Sequence, residues 1–293
     1  MAWLLPLLIC GASVCCGCVV QVLSLQLLCF EKLTLSTYDG QVDLVQNLLL
    51  HPSIDVNILD HDSHSALMIA SATGPPAIVN LLLQHPTINV NLENRSRHTA
   101  LSFAANAGRS DAVTKLLTHP AIDVNRFDKS GLTPLMFASF KGYSEVVKQL
   151  LTHSHIQVNR TYRDKGPSAL IWASGTGRLE VVQILLAHPH IDVNYSDGLG
   201  YRKTALHLAC INGHANVVKA LLNHVTTNVN QKDCDGYTPL LAAVAFGNED
   251  VVRTLIEHPA IDLESVCNKG FGALRLASAI GYDRIHKVNV CSI

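Results

Sequence analysis

The chain repeats one four-residue string at a nearly constant interval. The string is Ile-Asp-Val-Asn or a close variant, and it ends at six asparagines separated by 34, 34, 34, 35 and 36 residues: Asn57, Asn91, Asn125, Asn159, Asn194 and Asn230. A decayed copy, 261–264, ends 34 residues after the last asparagine. A fixed period of this size predicts a stack of small units, each burying its apolar face only against its neighbours. We therefore expect a binding surface rather than an enclosed active site.

One copy shows the unit most clearly. Thr133 and Pro134 predict a helix start, because the hydroxyl can accept from a free N–H and proline fits the first helical position. Gly142 predicts the end of this short helix, since glycine adopts the left-handed conformation at little cost. Ser144 is then expected to cap a second helix, whose apolar residues recur at helical spacing: Val146, Val147, Leu150 and Leu151.

The same elements recur along the chain and resemble the ankyrin repeat family. Copies of the helix start include Thr99-Ala100-Leu101, Thr204-Ala205-Leu206-His207 and Thr238-Pro239-Leu240. The resemblance covers residues 31–288 and implies an all-α solenoid of paired antiparallel helices with short β-hairpin fingers. Repeats end near 57, 91, 125, 159, 194, 230 and 264, the last repeat is truncated, and 289–293 form a tail. Residues 1–30 form a separate hydrophobic segment, expected to be helical.

Seven histidines occupy one repeat position after the second helix: His51, His85, His119, His153, His188, His224 and His258. We expect them to help end that helix by bonding its last carbonyls. Packed helices lie about 8–10 Å apart, whereas zinc needs ligand nitrogens about 2 Å from one shared ion. The sequence therefore predicts no metal site, and no motif in it predicts a cofactor.

Composition and motifs also exclude function classes. The net charge is −1 and charged residues make up 15% of the chain, which excludes a generally basic nucleic-acid binder. The chain lacks a phosphate loop, a His-Glu-x-x-His zinc motif and a nucleophile elbow. We therefore predict a non-enzymatic, monomeric scaffold that binds a partner protein. The alternative is a membrane-tethered adaptor, or a fragment of a larger membrane protein or enzyme whose effector domain is absent.

The family resemblance implies that partners contact a concave surface made of finger residues and the two residues before each glycine. In the central units these positions are Arg95, His98, Lys129, Leu132, Phe140, Lys141, Tyr201, Arg202, Ile211, Asn212, Tyr237 and Phe246. Finger residues between the asparagine and threonine positions are mildly basic, which favours a partner with an acidic patch. The alternative for Phe140 and Phe246 is that they pack between repeats.

The resemblance also implies that the repeated asparagines, Asn57 to Asn230, could be substrates for hydroxylation, as in other ankyrin arrays. The alternative is structural: asparagine side chains fix turns by bonding the backbone. We favour the structural role as their main one.

Residues 1–30 contain no charged side chain and are long enough to cross a bilayer, which takes about 20 apolar residues. Every lysine and arginine follows this segment, beginning with Lys32, so the positive-inside tendency would leave the repeats in the cytosol. Membrane association with cytosolic repeats is therefore the favoured localisation, and Cys15, Cys16 and Cys18 are acylation candidates. The alternatives are a cleaved signal peptide, a helix that caps the first repeat in a soluble cytoplasmic protein, and a wrongly assigned start.

Overall fold

The computed structural model describes residues 32–280 except 53, 199 and 200, and this part of the chain is a series of short helices. In chain order they are α1 (32–38), α2 (Val42–Leu49), α3 (Ala66–Ala72), α4 (Pro76–Leu83), α5 (Ala100–Ala107), α6 (Ser110–Leu117), α7 (Pro134–Lys141), α8 (Ser144–Leu151), α9 (Ala169–Gly175), α10 (Leu179–Leu186), α11 (Ala205–Ile211), α12 (Ala215–Leu222), α13 (Pro239–Ala245), α14 (Glu249–Ile256) and α15 (Ala273–Ile280). A 3₁₀ turn, Tyr162–Asp164, lies between α8 and α9.

The helices form two layers that follow the repeat. From α3 to α15, each odd-numbered helix contacts the next odd-numbered one, and from α2 to α14 each even-numbered helix contacts the next even-numbered one. Every repeat thus supplies one inner and one outer helix. Inner-helix leucines such as Leu101, Leu135 and Leu206 are at most 2% exposed, because neighbours cover them on both sides. The all-α solenoid predicted from the repeat is confirmed.

The fingers between repeats were expected to be short β-hairpins, but in the described residues they are tight turns without regular strands. In the finger before α7, the Asp128 amide donates to the Leu132 carbonyl over 3.0 Å, and the Gly131 amide donates to the Asp128 carbonyl over 3.1 Å. Across the described residues the fingers form no named strand and show one isolated bridge, Ser196 to Thr204. Gly131 has a φ of 80°, a left-handed conformation that glycine adopts at little cost.

The inner helices begin as predicted. From α3 to α13, a hydroxyl at each N-cap accepts from the backbone amide three residues later over 3.3 Å, at Ser65, Thr99, Thr133, Ser168, Thr204 and Thr238. Gly142 ends α7 with a φ of 87°, also as predicted. Gly74, at the same position two repeats earlier, is not left-handed, and Pro75 and Pro76 follow it and start α4.

The outer helices begin differently from our expectation. The N-cap of α8 is Tyr143 rather than Ser144, and it makes no side-chain capping bond. Other outer helices instead place a polar side chain at this position that reaches the end of the preceding inner helix. Arg109 donates to the Gly74 carbonyl over 2.8 Å, and Asn248 donates to the Cys210 carbonyl over 2.7 Å. These side chains bond carbonyls at or just after the C-terminal end of the inner helix in the preceding repeat, where backbone acceptors have no partner within the helix.

The repeated histidines also act differently from our expectation. In His85, His119, His153, His188 and His258, Nδ1 accepts from the backbone amide two residues later, over 3.2 Å from Ala121 to His119 and 3.3 Å from Ala260 to His258. His224 Nδ1 instead lies 3.1 Å from the Thr226 hydroxyl. These six rings therefore bond the turn after the helix rather than the last carbonyls of the helix. Burial and the nearby His190 both lower the pKa of His188, which favours its neutral, accepting form.

Several predictions fall on residues 1–31, which lie outside the described part. They are the membrane segment, the localisation derived from it, and the acylation of Cys15, Cys16 and Cys18. Within the described part, none of the helices has the length and apolar character that a membrane crossing requires.

Candidate functional site

The inner helices and the finger residues just before them form one surface, which we call the groove face. The six inner helices from α3 to α13 contain no aspartate or glutamate, and Lys141 is their one lysine or arginine. The outer helices carry acidic first turns, as at Asp111, Glu145 and Glu249. The groove face therefore differs in character from the outer face, being apolar along its helices.

A row of aromatic rings crosses the groove face over three repeats. Phe103 lies between His64 and His98, with ring centroids 5.1 and 5.5 Å apart, and His98 lies 5.6 Å from Phe137. All three contacts are edge-to-face, an arrangement that aromatic pairs prefer. His98 Nε2 also lies 3.1 Å from Oδ2 of the buried Asp128, which fixes its orientation.

The row of rings continues into a cavity of about 280 Å³. Its lining is Asn106, Leu132, Phe137, Phe140, Lys141 and Trp172. The rings of Phe140 and Trp172 meet edge-to-face with centroids 5.4 Å apart. Three predicted contact residues, Leu132, Phe140 and Lys141, therefore come together at one place.

Phe140 and Phe246 are 40% and 56% exposed. Their rings are therefore not buried between repeats, although Phe140 lies against Trp172. Both remain available on the groove face.

The other predicted contact residues are spread along the face. Tyr201 is 61% exposed at a finger tip, and Arg95, Lys129 and Arg202 are exposed on fingers. Ile211 is half-buried near the end of α11.

Three predicted contact residues also have structural roles. His98 bonds Asp128 as described above. Asn212 donates to the Gly175 carbonyl over 2.7 Å. The Tyr237 carbonyl lies 3.0 Å from Nε2 of the buried His207, and the Tyr237 side chain is half-buried against the core.

Part of the basic character of the fingers is neutralised internally. Glu93 accepts from Arg126 over 2.7 Å and from Arg97 over 3.3 Å. Burial raises the pKa of Glu93, but the hydrogen bonds and charges of both arginines outweigh this, so its pKa lies below the ordinary value. Among the described residues, Arg95, Lys129 and Arg202 form no ion pair. These three are exposed basic finger residues that can face a partner.

The repeated asparagines form a ladder between repeats. Asn125 Nδ2 donates to the His155 carbonyl over 2.7 Å, and its Oδ1 accepts from the Gln157 amide over 2.9 Å. The same pair of bonds to the following repeat is made by the other five asparagines: Asn57, Asn91, Asn159, Asn194 and Asn230. The partner is thus the next repeat rather than the asparagine's own turn. Hydroxylation of these residues stays a prediction.

Four residues of the groove face are not among the contact residues predicted from the sequence. Phe103, Phe137 and Trp172 occupy the fourth helical residue of their inner helices, and Asn106 lies one repeat before Phe140 at the same register. Their common register was a usable signal, because the same position in successive repeats falls on the same side of a stack.

Known proteins were compared with this chain. The family model described as ankyrin repeats (3 copies) matches residues 33–128, 122–197 and 192–267. Protein phosphatase 1 regulatory subunit 12A of Mus musculus is 40% identical over 81 residues, which are 27% of this chain and 8% of that protein. YahD, an ankyrin repeat protein of Escherichia coli (strain K12), is 34% identical over 89 residues, which are 29% of this chain and 44% of YahD. The chain thus spans less than half the length of these relatives.

Solved structures give the same result for the fold. The ankyrin repeat domain of Bcl-3 superimposes with a TM-score of 0.68 at 25% identity, covering 77% of this chain and 97% of that domain. The ankyrin repeat protein EF0377 superimposes with a TM-score of 0.59 at 28% identity, covering 69% of this chain and 98% of that protein. Because the family model matches residues 33–267, well over half of the chain, this chain belongs to the ankyrin repeat family.

Proposed function

We propose that this chain is a non-catalytic scaffold that binds a partner protein through its groove face. The main support for this proposal is that large side chains are exposed on a face whose inner helices have no carboxylate. Phe140, Tyr201 and Phe246 are 40%, 61% and 56% exposed. Aromatic and arginine side chains dominate the energetics of protein interfaces, and burying these rings against a partner would be favourable.

The charges left on the fingers support the choice of partner. Arg95, Lys129 and Arg202 are exposed and lack ion-pair partners among the described residues. Complementary charge steers association and sets register. We therefore propose a partner with an acidic patch that faces the fingers while its apolar residues cover the helices. The array is proposed to bind as a monomer, which sedimentation of the full chain would test.

Affinity capture with the full chain tests this function. Phe140→Ala, Tyr201→Ala and Phe246→Ala are compared with Val225→Ala, a control in the loop after α12 whose side chain is 96% exposed. A captured protein should be retained by the control, and at least one groove variant should lower its affinity about fivefold or more. Circular dichroism of each variant checks folding. Full binding by all three groove variants, with loss in Val225→Ala, would contradict the assignment of the face.

A further inference from the structure

The cavity at Phe140 is formed by residues of three successive repeats. Asn106 comes from the preceding repeat and Trp172 from the following one, while Phe137 and Phe140 lie between them. The Phe140 ring is 40% exposed beside this space of 280 Å³. A water molecule takes about 30 Å³ of liquid volume, so this space is large enough for an apolar side chain.

Bonds between repeats hold the walls of the cavity in place. Thr176 Oγ1 donates to the Phe140 carbonyl over 3.4 Å, and Arg178 Nε donates to the same carbonyl over 3.2 Å. The edge-to-face contact of Phe140 with Trp172 adds a third constraint. Because the walls are fixed before binding, a ligand side chain would not have to order them, which favours affinity.

One charged group at the cavity has no carboxylate partner. Lys141 is exposed, and its Nζ lies 5.8 Å from the centroid of its neighbour Phe140. Within the described residues no carboxylate pairs with Lys141. An incoming carboxylate would be favoured there, because opposite charges across an interface are complementary.

We propose that this cavity is a subsite for one large apolar side chain of the partner, followed or preceded by an aspartate or glutamate. The apolar side chain packs against Phe137, Phe140 and Trp172. The carboxylate contacts Lys141. The subsite rests on the proposed function and adds to it the chemistry of the segment that is recognised.

Charge complementarity is what selects this occupant. A basic segment would meet Lys141 with no carboxylate on any inner helix from α3 to α13 to offset the repulsion. An uncharged apolar segment would fill the cavity but leave Lys141 desolvated without a counter-charge, which is unfavourable. An apolar residue beside a carboxylate matches both features.

The test uses a displayed library of random linear 12-residue peptides, selected on the full chain. The selected peptides should be enriched in a large apolar residue adjacent to aspartate or glutamate. One selected peptide is then synthesised and its affinity measured for four variants. Phe140→Ala and Lys141→Glu should each weaken binding about tenfold, and Trp172→Phe, which replaces the indole with a smaller ring and so removes part of the cavity wall, about fivefold. Lys219→Glu is the matched control, because it reverses the charge of an exposed lysine on the outer helix α12, and it should bind the peptide normally.

An indole resonance gives a readout that a purely structural role would not move. The chain has two tryptophans, Trp3 and Trp172, so the Trp172→Phe variant assigns the indole N–H signal of Trp172. That signal should shift when the selected peptide is added, and not when its acidic residue and apolar neighbour are both replaced by alanine.

Failure of the subsite can be distinguished from failure of the proposed function. If selected peptides lack the motif, or bind Phe140→Ala and Lys141→Glu as tightly as the original chain, the subsite is wrong. If Phe246→Ala then loses affinity for those peptides, they bind elsewhere on the groove face and the proposed function stands. If library selection enriches nothing, the subsite is also wrong, while the capture experiment decides the proposed function separately.

Discussion

The asparagine ladder makes a quantitative prediction about how neighbouring repeats are joined. Asn125→Ala removes two hydrogen bonds to the next repeat, one to the His155 carbonyl and one from the Gln157 amide. Each such bond contributes about 0.5–1.5 kcal/mol net, so the variant should lose about 1–3 kcal/mol of unfolding free energy. The lower end is favoured, because both bonds lie at an exposed edge where water can replace them.

Two further variants separate the ladder from ordinary surface effects. Asn125→Asp keeps an acceptor for the Gln157 amide but places a carboxylate oxygen against the His155 carbonyl, so we expect it to cost at least as much as alanine. Asn223→Ala is the matched control. Asn223 is an exposed C-cap residue of α12, and its side chain is not part of the asparagine ladder. It should change stability by less than about 0.5 kcal/mol.

The assay is urea unfolding followed by far-ultraviolet circular dichroism. A lower midpoint at unchanged slope shows lost stability, whereas a changed slope shows altered compactness or lost two-state behaviour. In a stack, each repeat depends on its interfaces with the neighbours, so weakening one interface can also reduce cooperativity. If Asn125→Ala unfolds at the same urea concentration as the original chain and Asn223→Ala, the inter-repeat bonds contribute no measurable stability.

Three other predictions concern burial, pH and modification. Leu135→Ala should cost about 2–5 kcal/mol because Leu135 is 2% exposed, whereas Leu274→Ala should cost less than about 0.5 kcal/mol because Leu274 is 42% exposed; equal losses in urea would contradict the gradient. Burial lowers the pKa of His207 and, together with His190, that of His188, so the unfolded chain binds more protons near pH 6. Stability should therefore be complete above about pH 6.5 and fall as the pH drops below it, and His207→Gln should reduce the difference between urea midpoints at about pH 7.5 and 5.5. Peptide mass spectrometry of the chain from cells should show the gain of one oxygen on at least one of Asn57, Asn91, Asn125, Asn159, Asn194 and Asn230; unmodified peptides at all six would count against hydroxylation.

Local signals in the sequence were sufficient to predict the architecture. A stack is indicated by two sequence features alone: the interval of 34 to 36 residues and the recurring Thr-Pro-Leu type of helix start. Capping by Thr133 and termination at Gly142 depend on backbone geometry within a few residues, so both could be predicted from neighbours in the sequence. The buried leucines followed from the same periodicity.

Tertiary structure decided what lies between repeats. The partners of Asn125 are 30 and 32 residues further along the chain, and only the stacking register brings them within hydrogen-bond distance. The same is true of Arg109 and Asn248, whose side chains bond carbonyls 35 and 38 residues earlier. The cavity beside Phe140 likewise depends on Asn106 and Trp172 in the two neighbouring repeats. A period in the sequence specifies that units stack, but the contacts across each interface depend on side chains that meet only after stacking.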